Sequence, residues 1–411
     1  MRNRRGIGIP MKILMIAPQP FFEPRGTPIS VYQRLIGLSK LGHSIDLVIY
    51  HLGWDVDLPG VTIHRIPRMP FINALRVGPS WQKIPLDILL FVKAFLLLIR
   101  NHYDVIHSHE EASFFSVWLA WFFRTKHLYD MHSSLPKQLV NFKFGDNRLT
   151  IRLFRFFERH VINTCDALIT IGPDLEEYAR QINPFVHERM IENLPLGEGI
   201  PDPEVSNQLR KHLNLDGRVA VVYAGTFERY QGVHLLIEAA AALKDKYPQM
   251  VCILVGGNPE QSRGLSQLAE NLGLTDRVRL TGTLPVEEAN RYIALADILV
   301  SPRTEGTSVP LKIYTYLRAG KPIMATNLQA HTSVLDSNTA LLVEPTREGF
   351  VEGLATLIEE ESLRARLGEG ALLLAEEKYN EANYLKKLNE IYQTLWPPST
   401  SVSNQVKVSE D

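Results

Sequence analysis

Short, uninterrupted apolar runs alternate with helical stretches along most of the chain, and that alternation restricts the fold more than any other feature. The run KILMIA at residues 12–17 sets the type. A strand with one wet face alternates apolar and polar residues, whereas a strand covered on both faces is apolar throughout. Similar runs fall at residues 45–50, 104–107, 127–131 and 167–171. A helix over 29–41 follows the turn Pro24-Arg25-Gly26-Thr27-Pro28, and further helical segments separate the other runs. Repeated strand–helix–strand order predicts a parallel sheet with helices on both faces.

The pattern stops at a proline-bearing stretch, 195–203, and then begins again. Strands are predicted at 219–223, 251–255, 278–280, 298–300, 322–325 and 340–343, with a helix at 233–243. The 411 residues therefore divide into two α/β, Rossmann-like domains, 11–197 and 198–380. An extension at 1–10 precedes them, and Met11 is the expected functional start. A helix at 381–396 follows, with Tyr384, Leu388, Ile391, Tyr392 and Leu395 at helical spacing, and is expected to pack back on the first domain. The polar tail 397–411 is expected to be disordered.

Composition narrows the function. Lys and Arg number 44 against 45 Asp and Glu, a net charge of −1. No basic excess is available to hold a nucleic-acid backbone, so no nucleic-acid partner is expected. The two cysteines, Cys165 and Cys252, cannot frame a disulfide scaffold or a four-cysteine zinc site. They fit a reducing compartment, the cytoplasm. The apolar run after the basic first residues is too short for a signal peptide. The longest oily stretch, 86–99, is broken by Asp87 and Lys93 and falls short of the ~20 residues of a membrane span. Residues 148–157 are basic and amphipathic. That pattern suits peripheral contact with an anionic membrane, and equally a core helix with one solvated side.

Open parallel sheets bind ligands beyond the carboxyl ends of their strands. The richest such turn follows the strand at 298–300. Its loop carries Glu305, Gly306, Thr307, Ser308 and Val309 and leads into a helix with Pro310 in the first turn. Free N–H groups and the positive helix end favour an anion such as a diphosphate, and Lys312 adds a full charge. An ordinary strand–loop–helix connection with a solvated lysine has the same spacing. The turn after 219–223, YAGTFERYQG, carries Gly225, Thr226 and Arg229.

The segment Pro310-Leu311-Lys312-Ile313-Tyr314-Thr315-Tyr316, followed by Gly320-Lys321-Pro322, resembles the donor-binding motif of the retaining, nucleotide-sugar-dependent glycosyltransferases of the group one family, family four. The resemblance covers nearly the whole chain, Met11 to Trp396. It implies the GT-B architecture, two Rossmann-like domains facing across a cleft, with the acceptor on the first and the nucleotide sugar on the second. Two departures stand out. The family's Glu-(seven residues)-Glu pair falls on Thr307 and Thr315, neither of them acidic. The resemblance puts Thr315 on the donor ribose as an uncharged partner and Glu305 near the sugar. The family's Arg and Lys that neutralise the donor phosphates fall on Thr226 and Gln231, which leaves Arg229 as the local cation.

In the first domain, Gly26 and Thr27 resemble the family's glycine-rich loop beside sugar and acceptor. Asp130-Met131-His132 resembles the strand-end histidine that faces the transferred sugar. His107-Ser108-His109 ends another strand, and by resemblance His109 contacts the cleft. Asn193 matches the family's Asn at the entry to the interdomain linker. Alternating histidines can bind a metal, but no third ligand adjoins them in sequence. Asp55-Val56-Asp57 lies outside the setting of a metal-binding Asp-x-Asp. No metal or cofactor is therefore expected. The implied function is transfer, with retention, from a nucleotide sugar to a hydroxyl of a glycan or lipid-linked acceptor, as in polysaccharide biosynthesis. His132, Lys312, Arg229 and Glu305 take the catalytic roles. The implied location is the cytoplasm, with peripheral contact at the inner face of the membrane. Two alternatives stand beside this reading: a non-catalytic binding subunit, which the missing glutamates favour, and a sugar-nucleotide epimerase of the same architecture.

Overall fold

The computed structural model describes residues 10–396, apart from 24–25, 76–77, 79, 142–147 and 198. The first nine residues of the N-terminal extension, the tail at 397–411, and Pro24 and Arg25 of the first turn lie outside the described residues.

The first domain holds strands β1 (Lys12–Ala17), β2 (Ser44–Ile49), β3 (Val61–Arg65), β4 (Val105–His109), β5 (Lys126–Met131), β6 (Ala167–Thr170) and β7 (Glu188–Met190). Its helices are α1 (Gly26–Lys40), α2 (Lys83–Arg100), α3 (Ser113–Phe123), α4 (Leu135–Asn141), α5 (Arg148–Thr164) and α6 (Pro173–Ile182). The second domain runs α7 (Pro203–His212), β8 (Val219–Ala224), α8 (Val233–Leu243), β9 (Met250–Val255), α9 (Pro259–Asn271), β10 (Val278–Gly282) and α10 (Val286–Ala294). It continues with β11 (Ile298–Ser301), α11 (Leu311–Arg318), β12 (Ile323–Thr326), α12 (Gln329–Thr332), β13 (Ala340–Val343), α13 (Arg347–Glu359) and α14 (Glu361–Glu377). The last helix is α15 (Glu381–Leu395).

The sheets are ordered β3-β2-β1-β4-β5-β6-β7 and β10-β9-β8-β11-β12-β13. Every ladder between these strands is parallel. In each sheet the chain winds outward from one central strand and then returns to its other side. The strand order therefore reverses between β1 and β4 and between β8 and β11, where such sheets open a crevice.

Alternate residues of each central strand feed opposite cores. Ile13, Met15 and Ala17 pack with α1 and α15, while Leu14 and Ile16 pack with α2 and α3. Val221 and Tyr223 pack with α8 and α13, while Ala220, Val222 and Ala224 pack with α11 and α14. Helix α15 lies on the first domain, where Tyr384, Leu388 and Ile391 join the α1 core and Lys387 pairs with Glu192.

The linker is clamped from both sides. Gln33 on α1 donates to the Leu194 carbonyl (2.8 Å) and accepts from the Leu194 N–H (2.9 Å). From the second domain, Asn290 and Arg318 donate to the Leu196 carbonyl at 3.0 and 2.6 Å.

Some elements differ from the sequence expectation. Strands β3 and β7 were not foreseen, because VTIHR and ERM are partly exposed edge strands without a continuous apolar run. Helix α1 opens at Gly26 rather than 29. Helix α11 opens at Leu311, so Pro310 is its N-cap rather than part of its first turn.

Candidate active site

The loops leaving β8 and β11 meet at the second sheet's reversal point. The β8 loop passes through Gly225 at φ 149°, and a Cβ there would lie 2.7 Å from Lys312 Nζ. Glycine is what leaves room for that lysine. Lys312 is the second residue of α11, and its Nζ sits 3.7 Å from the centroid of the Tyr223 ring and 3.4 Å from Gln231 Oε1. In the β11 loop the Arg303 guanidinium lies 5.2 Å from the centre of the Tyr230 ring. It donates to the backbone carbonyls of Glu305 (2.5 Å) and Ser308 (3.0 Å), and so sets the course of the loop. A Cβ on Gly306, at φ 103°, would stand 2.5 Å from that guanidinium.

Both cations are partly withdrawn from water. Desolvation, and then the neighbouring Arg303 charge, hold the Lys312 amine well below its usual range. Desolvation also lowers Arg303, against the pull of Tyr230 and Tyr223. No carboxylate among the described residues acts on either one. Adjacent desolvated charges without a countercharge are costly, and a bound anion relieves that cost. The loop is braced from behind. Ser301 Oγ lies 2.8 Å from His331 Nε2, and the Thr326 hydroxyl donates to the Arg303 carbonyl at 2.7 Å. Burial pushes His331 down to about 4, so its ring is neutral. The Tyr316 hydroxyl accepts from the Ala224 N–H at 2.8 Å and ties α11 to the end of β8.

In the first domain β4 and β5 end side by side, with His109 opposite Asp130. The rings of His107, His109 and His132 stack, with centroids 4.6 and 5.2 Å apart. His109 Nδ1 is 2.9 Å from His132 Nε2. Against this stack, Asp130 Oδ2 accepts from Arg34 Nε at 2.8 Å and lies 3.3 Å from His107 Nε2. Arg34 also donates to the Tyr384 hydroxyl (2.8 Å), and His107 Nδ1 is 2.7 Å from the Tyr392 hydroxyl. Through these two tyrosines α15 is fastened beneath the strand ends. Burial alone would raise the Asp130 carboxyl, but Arg34 and His132 outweigh it and hold it well below the usual range. Burial pushes His132 down to about 4 despite the pull of Asp130. The ring is therefore neutral, and its Nδ1 has no partner among the described residues.

Several expected residues stand elsewhere. Thr315 is not available to a ribose: it is 2% exposed, and its hydroxyl accepts from the Leu196 N–H of the linker at 3.0 Å. His109 is fully buried and does not open on the cleft, so its contact is with His132. Arg229 is exposed on a short 3-10 turn, and the cation beside Lys312 is Arg303. Gln231, at the family's lysine position, is buried against Lys312 instead. A third metal-competent group does adjoin the alternating histidines: Asp130 lies with His107 and His109 inside 4.8 Å. Sequence spacing did not reveal it, and its Oδ2 is already engaged by Arg34. Asp55 pairs with Arg65 at 2.7 Å, and Val56 packs beside the α1 core.

The remaining residues line the strand ends. Gly26 and Thr27 open α1, and a Cβ on Gly26 would meet nothing within 4 Å. Asn193 is buried at the linker with its Oδ1 unpartnered among the described residues. Thr226 and Glu305 are exposed, and Val309 packs on the α11 core. The Thr307 hydroxyl donates to the Asp174 carboxylate of α6 at 3.0 Å, a contact that joins the two domains. Arg303 is the residue that sequence reasoning missed. Its one signal was its place two residues beyond a strand end, inside the anion loop.

Residues 24–193 match the family described as Glycosyltransferase Family 4, and residues 205–373 match Glycosyl transferases group 1. The chain belongs to the group 1, family 4 glycosyltransferases. The transferase is 27% identical over 382 residues to a D-inositol 3-phosphate glycosyltransferase of Corynebacterium urealyticum, across 87% of this chain and 88% of the relative. It is 25% identical to the alpha-D-kanosaminyltransferase of Streptomyces kanamyceticus, across 60% of this chain and 65% of that one. Its fold is similar to sucrose-phosphate synthase from Thermosynechococcus elongatus, with a TM-score of 0.75 at 21% identity over 94% of this chain and 99% of that one. It is also similar to Anabaena HepE, solved in complex with UDP, with a TM-score of 0.72 at 18% identity over 93% and 100%.

Proposed function

We propose that the diphosphate of a nucleotide-sugar donor lies between Lys312 and Arg303, with its sugar toward His132, and that transfer to an acceptor hydroxyl proceeds with retention. The observation that carries this reading is the pair of desolvated cations without a carboxylate, Arg303 in the β11 loop and Lys312 at the start of α11, beside the sheet's reversal point. The Anabaena relative in fold, solved with UDP and with UDP-glucose, supports a nucleotide sugar as donor. The charge that family members place at the positions of Thr226 and Gln231 comes here from the other loop.

The C1–O bond to the diphosphate breaks as the acceptor oxygen bonds C1 from the same face. The acceptor's proton passes to the departing diphosphate. Preorganised charges at the leaving group each lower such a barrier by about 3 kcal/mol. Neutral His132 exchanges hydrogen bonds with a sugar hydroxyl without adding charge beside the developing oxocarbenium ion. Glu305 and Arg229 stand at the rim, where the Thr307–Asp174 contact ties the two domains together. The acceptor, a glycan or a lipid-linked hydroxyl, approaches from the Gly26–Thr27 side. Side-chain cations neutralise the leaving group, so no metal is proposed.

A thermal-shift screen against UDP-, GDP- and ADP-sugars tests the donor site. One nucleotide series should raise the unfolding midpoint, and the product's anomeric configuration by NMR should match the donor's. A shift with none of them would reject the donor site. Binding without turnover with any acceptor would indicate a non-catalytic subunit, and turnover without acceptor an epimerase.

A further inference from the structure

Helix α2 is apolar on two opposite faces. Leu86, Leu90, Ala94 and Leu98 are buried in the core. Ile84, Ile88, Val92, Leu96 and Ile99 repeat with the same helical spacing on the opposite side and are exposed. A surface helix of a water-soluble domain normally turns charge outward on that side. The neighbouring α3, SFFSVWLAWFF, carries no charge, and its Trp118, Trp121 and Phe122 are exposed, the last two by 76% and 65%. Next to it, α5 adds exposed Leu153 and Phe156. The three helices pack side by side on one face of the first sheet, so these residues form one surface. Exposed apolar surface on that scale marks an interaction site.

The exposed charge of α5 beside it is of one sign. Arg148, Arg152, Arg155 and Arg159 are exposed at i, i+4, i+7 and i+11 along α5, next to the apolar stripe. The only acid of that helix, Glu158, turns inward to Ser134, Leu135 and Tyr178. None of the four arginines forms an ion pair with a described carboxylate, in a chain whose net charge is −1. At the end of the same face, a cavity of about 700 Å³ is walled by Trp118, Trp121 and His160, with Arg124 and the ion pair Lys126–Asp166 in its lining. No described helix is long and apolar enough to cross a membrane.

We infer that α2, α3 and α5 dock on the surface of an anionic phospholipid bilayer, with the apolar stripes in the acyl–headgroup boundary and the arginines of α5 on lipid phosphates. An apolar stripe bordered by cations fits that surface, whereas another protein chain would have to supply a matching acidic rim. Aromatic rings at the headgroup level suit Trp118 and Trp121. Each of these helices leads back to the start of a following strand. Their amino ends therefore reach the side of the sheet where His109 and His132 lie, which brings a lipid-linked acceptor close to the cleft.

The test is flotation of the full chain with vesicles of phosphatidylcholine alone and of equal parts phosphatidylcholine and phosphatidylglycerol. Co-flotation is expected with the anionic vesicles and should weaken in high salt. Replacing all four arginines of α5 by Gln should reduce partition by at least about 100-fold. Trp121→Ser with Ile88→Ser should also abolish it, with an unchanged circular dichroism melt in each variant. The assay requires no donor or turnover, so it stands apart from the donor site. Failure to float with either vesicle, or equal flotation of the arginine variant, would overturn the inference. A concentration-dependent dimer lost in Trp121→Ser, without flotation, would instead assign the face to a second copy.

Discussion

At the end of β5 a buried cation meets its carboxylate, while at the end of β11 two cations meet none. Arg34 and Asp130 are both fully buried and 2.8 Å apart, and the Tyr384 hydroxyl and His107 take up further bonds of the pair. Lys312 and Arg303 have aromatic faces and carbonyl oxygens for company. In the first arrangement the charge is balanced without a ligand, and the Nδ1 of His132 is left without a partner among the described residues. The second is complete only when an anion arrives. Buried charge alone does not mark a binding site; charge without its counterpart does.

The comparison breaks most visibly if the first cluster proves dispensable. Asp130→Asn leaves Arg34 buried without its partner and should cost about 3–5 kcal/mol of stability. Denaturant titration would detect that loss, and a variant as stable as the parent would refute the pairing argument.

Acid should weaken both domains through their buried imidazoles. Burial pushes His127 to about 3 and His132 and His331 to about 4, against 6.5 in the unfolded chain. Between pH 6.5 and about 4 the unfolded state binds protons that the folded state refuses. Stability is therefore retained above pH 6.5 and lost as pH falls through that window, by about 1.4 kcal/mol per pH unit per residue. Melting curves across the window measure the slope. A flat profile would mean that these rings are solvated.

Tyr392→Phe removes the hydroxyl beside His107 and loosens α15 from the strand ends. A loss of about 1 kcal/mol is expected, together with slower turnover at unchanged donor affinity. An altered donor affinity would place α15 in the donor site rather than behind His132. The smallest effect sharpens the contrast from outside it: Asp55→Ala should leave binding and turnover unchanged, and so should a chelator.

Sequence made the parallel core legible because strands covered on both faces become continuous apolar runs, as in β1, β8 and β9. The edge strands β3 and β7 lack that signal. Lys312 was legible through its position in a loop–helix segment. Arg303 was not, since a loop arginine looks solvated until Tyr230 and Gly306 are seen to enclose it. Thr315 misled for a related reason. Its partner, Leu196, is 119 residues away in the chain, so only the fold reveals that its hydroxyl serves the linker.

The central claim is tested most directly by calorimetric titration of the nucleoside diphosphate picked out by the donor screen into the parent and into Lys312→Ala, with melting curves of both free proteins. The account predicts weaker binding by about 2–3 kcal/mol, roughly 30- to 150-fold, and no loss of stability, because the lysine is an uncompensated charge before the anion arrives. Equal affinity in the two proteins, or a variant that binds poorly only because it has become unstable, would contradict it.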